Sequence, residues 1–352
     1  MIGRLRAFVH RQVGAYLQAP GDGRVAPLVP AAALLWSLLA GYLLREGAFH
    51  AVEGLVRSRA RRALGVRRPF GDDTLAYFTE RLAVSPTRTA LVRLIREAKR
   101  RKAFDDVWLV GLVLDGTTIG RCPTARCPWC HPLIVPHQDA AGRPTPVGTV
   151  VGQQHTLSLL TVVGGAVHLP VDLEPYDPHD SELAASLRLL DRGVAALGRR
   201  FAQYVLGDGL YANVRFLHAA GDHGLHAVVR LKANLPTLSA AAQARFEGTA
   251  PTVTFEDRGA RVEVWDASDF DPWEDLRWPT VRVLRYRQHR RDGTTVEATS
   301  LLIHWLLVLL TLTLERLYRL RYLHRGAHAP LSAIALVRRL RLSLGQPVLD
   351  SG

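Results

Sequence analysis

Residues 107–115 read VWLVGLVLD, eight apolar or glycine positions in an unbroken run closed by a carboxylate. A run this short, rich in branched and aromatic side chains and lacking helical periodicity, predicts a strand covered on both faces. Strands of that kind belong to α/β sheets sheltered by helices. The pattern recurs at residues 203–213, QYVLGDGLYAN, where an apolar strand again runs into Asp-Gly. Two more strands are expected in HTLSLLTVV and AVHLPVDL. An amphipathic helix over 181–198 separates them from the second Asp-bearing strand. A helix over 214–220 and the strand LHAVVRLKANL follow.

The flanks differ from this centre. Residues 30–103 carry helical patterns, with a break at VRRPFGDD and N-caps expected at Asp73 and Ser85. Residues 250–300 read as strands (TVTFEDR, ARVEVWDA, TVRVLRYRQHRRDGTTVEAT), with a hairpin turn expected at Asp292-Gly293, and residues 301–325 turn helical again. Four segments result: 1–103, 104–245, 246–300 and 301–352.

Charge follows the same divisions. The chain of 352 residues carries a formal net charge of +13, yet residues 1–103 sum to +12, residues 104–300 to −4 and residues 301–352 to +5. Codon bias toward arginine would not leave the middle acidic. The distribution predicts a basic module for a polyanion and an acidic centre able to hold cations. Arg57, Arg59, Arg61, Arg62, Arg67 and Arg68 crowd one helix end and its loop, and Arg100, Arg101 and Lys102 end the next helix. Such clusters suit phosphate contacts, although solvated helical surface looks the same in sequence.

Residues 26–44 lack charge over a length that could span a bilayer, but Pro27, Pro30, Ser37 and five alanines keep the hydrophobicity moderate. Residues 301–314 are apolar for 14 positions with His304 inside. Both read as buried helices, no signal peptide is visible, and a soluble cytoplasmic protein is expected.

Two features carry chemistry. Asp115 and Asp208 each close an apolar strand, and carboxylates held at neighbouring strand ends can bind Mg²⁺ or Mn²⁺ between them. Either Asp-Gly alone is equally an ordinary turn. All three cysteines, Cys122, Cys127 and Cys130, fall within nine residues, with His131 adjacent and His137 beyond. This Cys-x4-Cys-x2-Cys-His run can close a structural Zn²⁺ site in a Pro-rich loop over 121–137; reduced, unliganded thiols are the alternative. His155, His168, His179, His223 and His226 lack metal spacing and read as incidental. Trp265, Trp273 and Trp278 read as a small core in preference to base-stacking groups, and Arg230 and Lys232 as strand-end cations.

The stretches GLVLDGTTIGRC, YVLGDGLYAN followed by GLHAVVRLKANLP, and IHWLLVLLTLTLERLYRLRYLHRG resemble the DDE transposases of bacterial insertion sequences, in the group whose ribonuclease-H-like core is interrupted by a β-rich insertion. The resemblance covers essentially the whole chain. It implies an N-terminal helical DNA-binding module at 1–103, a ribonuclease-H-like α/β core at 104–245, a β-rich insertion at 246–300 and a C-terminal helical segment. It also implies Mg²⁺-dependent cleavage and strand transfer on the DNA ends of an element, a homodimer on DNA and a bacterial, nucleoid-associated location. Asp115 and Asp208 take the first two places of the metal-binding acidic triad.

The third place departs from the family. There a Glu follows Arg by four residues and Tyr by seven, with Lys seven beyond it. Around Glu315, the only acid of the late helix, those positions hold Thr311, Val308 and Tyr322, and Glu297 belongs to the hairpin. The insertion passes directly into the apolar helix that follows the catalytic Glu segment in the family. The chain therefore reads as internally deleted near residue 300, with transfer chemistry impaired. The alternative function is a non-catalytic remnant that binds element ends.

Overall fold

The computed structural model describes residues 2–105, 109–124, 127–139, 142–164, 167–231, 235–257, 260–270 and 281–289. The readings at Glu297, Glu315, Trp273, Trp278, Lys232 and the Asp292-Gly293 turn lie outside them. The chain divides into two compact units, with the break between Ala202 and Gln203.

The first unit opens with six helices: α1 (Ile2–Gln18), α2 (Ala31–Leu43), α3 (Phe49–Arg57), α4 (Ala60–Leu64), α5 (Asp72–Glu80) and α6 (Val84–Arg100). The apolar stretch at 26–44 supplies α2, which is 13 residues long and buried along Leu34–Leu43. No helix among the described residues is long and apolar enough to cross a membrane. The one polar atom of the Trp36 ring donates to the Leu64 carbonyl at 2.8 Å, and Tyr16 shares a 2.7 Å hydrogen bond with Thr87. Buried groups of this kind need partners, and here they have them. Arg24, 9% exposed, is satisfied in the same way by both Asp22 oxygens and the Val29 carbonyl. The expected caps shift by two residues: Gly71 and Ala83 cap α5 and α6, leaving Asp73 and Ser85 inside their first turns.

The sheet of this unit is antiparallel. β1 (Gly111–Cys122) and β4 (Val167–Tyr176) flank β3 (Pro144–Gly164), and β2 (His131–Gln138) pairs with the first half of β3. Helix α7 (Glu182–Leu197) covers one face, capped by Ser181, whose side chain accepts from the Ala184 N–H at 3.1 Å. Leu112, Leu114, Leu160 and Val162 are buried on that face, and Ser158 and Ser186 meet at 2.5 Å across it.

In the second unit, β5 (Tyr204–Gly207) and β6 (His226–Val229) pair in parallel, linked through α8 (Val214–Asp222). Helix α9 (Pro236–Phe246), not expected from the sequence pattern, then packs on a three-stranded antiparallel sheet of β7 (Val253–Asp257), β8 (Ala260–Phe270) and β9 (Val281–His289). Trp265 is core, as expected: with Leu238, Ala242, Phe246 and Val283 it forms a small buried cluster, its Nε1 donating to Thr249 O at 2.9 Å.

Candidate functional site

Asp115 lies inside its strand and not at its end, because the pairing of β1 with β3 continues through Thr117, Thr118 and Ile119 to Cys122. Only the apolar covering stops at the aspartate. Strand alternation places Leu112, Leu114 and Gly116 on the face under α7 and Val113, Asp115, Thr117 and Ile119 on the other. Asp115 is exposed there, opposite Leu159. On the α7 side the Glu182 carboxylate occupies the space where a side chain on Gly116 would sit. Glu182 is thus an additional acid beside the Asp115 segment, across the strand from it. Tyr176 also hydrogen-bonds Glu182, and burial, aided by that carboxylate, holds its hydroxyl above the usual tyrosine pKa.

In the other unit, Asp208 follows β5 directly, as expected. Its Oδ1 accepts the Leu210 N–H at 2.7 Å and its carbonyl the Tyr211 N–H at 3.1 Å, so it caps a single 3-10 turn, Gly209–Tyr211. Tyr211 is fully buried, edge-on to Phe216 at 5.1 Å, and a Cβ at Gly207 would strike its ring at 2.5 Å. The turn is therefore anchored while Asp208 itself stays exposed.

The thiol cluster is built differently from the expectation. A turn closed by the Cys130 N–H to the Cys127 carbonyl at 3.2 Å brings the two sulfurs to 3.6 Å, not joined by a disulfide. The imidazole that joins them is His155 of β3, with Nε2 3.1 Å from Cys127 Sγ and 3.4 Å from Cys130 Sγ. These three groups can hold a metal ion. His131 is not brought into this group: as the first residue of β2 it donates from Nε2 to the Tyr176 carbonyl at 2.8 Å and stacks edge-on against the Tyr176 ring. Cys122 closes β1 opposite Gln153; its side chain lies outside the described residues. His155 escaped the sequence reading because its proximity arises from strand register 25 residues away, not from local spacing.

The basic groups lie on the helical part of the first unit. Arg57, Arg59, Arg62, Arg67 and Arg68 are exposed and Arg61 half-buried, with Arg57 paired to Glu53 at 2.5 Å. At the end of α6, Arg100 and Arg101 share Glu97 at 2.7 and 2.5 Å, and Lys102 lies 3.8 Å from Asp105. A larger cationic feature was not expected. A cleft of about 830 Å³ runs along α6, β4 and α7, lined by Arg88, Arg93, Arg96, Lys99, Arg100 and Arg192 against a single acid, Asp172. Burial lowers the pKa of Lys99, which lies over the Phe201 ring at 4.3 Å. The sequence signal was present in the basic residues at 93, 96 and 100, which recur at helical spacing on one stripe of α6.

No family model matches the chain, and no curated protein matches it. Among solved structures it is similar to the piggyBac transposase in a cryo-EM synaptic complex with hairpin DNA, at 9% identity and a TM-score of 0.35, over 99% of this chain and 75% of that one.

Proposed function

We propose that this chain is a transposase-type protein that acts on DNA ends, with Asp115 and Asp208 as ligands of a catalytic Mg²⁺ or Mn²⁺. The observation that carries the reading is the pair of exposed aspartates, one within β1 and one directly after β5: Asp115 is held by cross-strand pairing to Leu159, Asp208 by the anchored Gly209–Tyr211 turn. The chain order supports a ribonuclease-H-like core: β1, β3 and β4 pair antiparallel, with β2 added on β3, and a covering helix, a strand, a helix and a parallel strand follow. Oxygen ligands of this kind suit hard divalent cations. A cation held by these aspartates would supply charge stabilisation on the phosphodiester oxygens during attack by water and then by a 3′ hydroxyl.

A second reading is favoured by the residues around Glu315. Thr311, Val308 and Tyr322 stand where the family motif requires Arg, Tyr and Lys. On this reading the chain keeps its DNA-binding face and competes for element ends without cutting them. Purified chain incubated with Mg²⁺ and DNA carrying the sequences that flank its own gene separates the two. Cleavage lost in Asp115→Ala supports the enzyme. Retention of that DNA in a gel without cleavage supports the remnant. Neither retention nor cleavage contradicts both.

A further inference from the structure

Cys127, Cys130 and His155 present three soft or borderline ligand atoms to one point. Their separations of 3.6, 3.1 and 3.4 Å lie close to the edges of a zinc tetrahedron, about 3.8 Å between sulfurs and about 3.6 Å between sulfur and nitrogen for Zn–S near 2.3 Å and Zn–N near 2.0–2.1 Å. The sulfurs are too far apart for a disulfide, and a neutral thiol is only a weak hydrogen-bond partner. Three such groups gain little from meeting one another, whereas a divalent cation that takes up both thiolates makes the convergence favourable. Cys130 is buried, and Pro123 and Pro128 restrict the loop that delivers the pair. His155 is delivered by β3, opposite Ile119, where β1 bulges through Gly120 in a left-handed conformation (φ +66°).

We infer that these residues form a structural zinc site, which pins the loop between β1 and β2 to the long strand β3. The site also has a defined relation to Asp115. Asp115, Thr117 and Ile119 alternate onto one face, and His155 shares that face as the direct partner of Ile119. The zinc therefore braces the Asp115 face about 13 Å along the strand, four residues at 3.3 Å each. The inference does not depend on an activity toward DNA.

The test uses the full chain and zinc alone. Zinc content is measured by elemental analysis after purification without chelator, and metal-free protein is titrated with Co²⁺, whose thiolate charge-transfer and intense visible bands report a tetrahedral sulfur site. One zinc per chain and a Co²⁺ spectrum with sulfur ligation are expected. His131→Ala should keep both. His155→Ala and Cys130→Ser should weaken zinc binding on the order of a hundredfold. Protection of the cysteines from alkylation by added Zn²⁺ reads the same site in wild-type protein, without any variant that might fail to fold. Absence of zinc together with no Co²⁺ charge-transfer band would overturn the site. Metal loss in His131→Ala with retention in His155→Ala would overturn its ligand set.

Discussion

Arg192 Nε donates to Asp172 Oδ2 at 2.6 Å, and the opposite oxygen of the same carboxylate accepts from Arg88 Nε at 2.8 Å. Asp172, 4% exposed, thereby ties α6 and α7 to β4. Burial alone would lower the pKa of Arg192, but the carboxylates of Asp172 and Glu174 outweigh it, so that the guanidinium is held above its usual value. Removing the shared acid leaves both arginines to the more exposed Glu174. Asp172→Ala is expected to cost about 3 kcal/mol, the lower end for breaking a buried pair because both arginines keep some access to water. Urea unfolding measures it; a loss under 1 kcal/mol contradicts the tie.

Gly116 and Glu182 compete for one space. Gly116→Ala should destabilise the chain by about 1 kcal/mol, a small overpacking cost because the clashing atoms end a flexible side chain. The double variant Gly116→Ala/Glu182→Ala should recover part of that loss relative to Glu182→Ala alone. Purely additive losses in a double-mutant cycle would show that the two do not share the space.

Tyr16 and Tyr42 are held as neutral phenols. Burial pushes each up to about 12 from the usual 10, against a smaller opposing effect of the Thr87 hydrogen bond on Tyr16. A folded-state pKa above the unfolded one adds stability that is complete below pH 10 and is lost as pH rises from 10 to 12. Tyr16→Phe removes one such group and leaves Thr87 unsatisfied, for a cost of about 1 kcal/mol at neutral pH. The stability gap between wild type and Tyr16→Phe should narrow between pH 10 and 12. A gap independent of pH over that window contradicts the assignment.

Within the proposed DNA reading, the cleft along α6 offers a phosphate surface on the first unit. Arg93→Ala/Arg96→Ala should weaken binding to DNA of any sequence and reduce the slope of log affinity against log salt by about 2, one for each lost phosphate contact. The slope is read from fluorescence anisotropy across salt concentrations. An unchanged slope places the DNA elsewhere.

Much of the strand order was legible because apolar runs with turn residues between them can be read locally. Asp115 shows the limit. The run stops at the aspartate, but TTIGRC alternates sides and continues the strand, since a face open to water needs no apolar residues. Helix α9 had its signal in Pro236 at the first turn and the alanines that follow, yet the adjoining strand pattern obscured it. The thiol pair was visible in its spacing. Its imidazole was not: His155 reaches the loop only through the register of β3, and adjacency in sequence favoured His131, which is engaged with Tyr176. Glu182 was hidden for the same reason, because its place beside Gly116 follows from α7 docking on the sheet.

Within the proposed function, Asp115 and Asp208 are each a ligand of a hard divalent cation. Mn²⁺ binding to the zinc-loaded chain, followed by electron paramagnetic resonance, tests it without requiring DNA or turnover. The account predicts saturable Mn²⁺ binding to wild-type protein, displaced by Mg²⁺, and a loss of at least tenfold in affinity in Asp115→Asn and in Asp208→Asn alike. Equal Mn²⁺ affinity in wild type and both variants would contradict it.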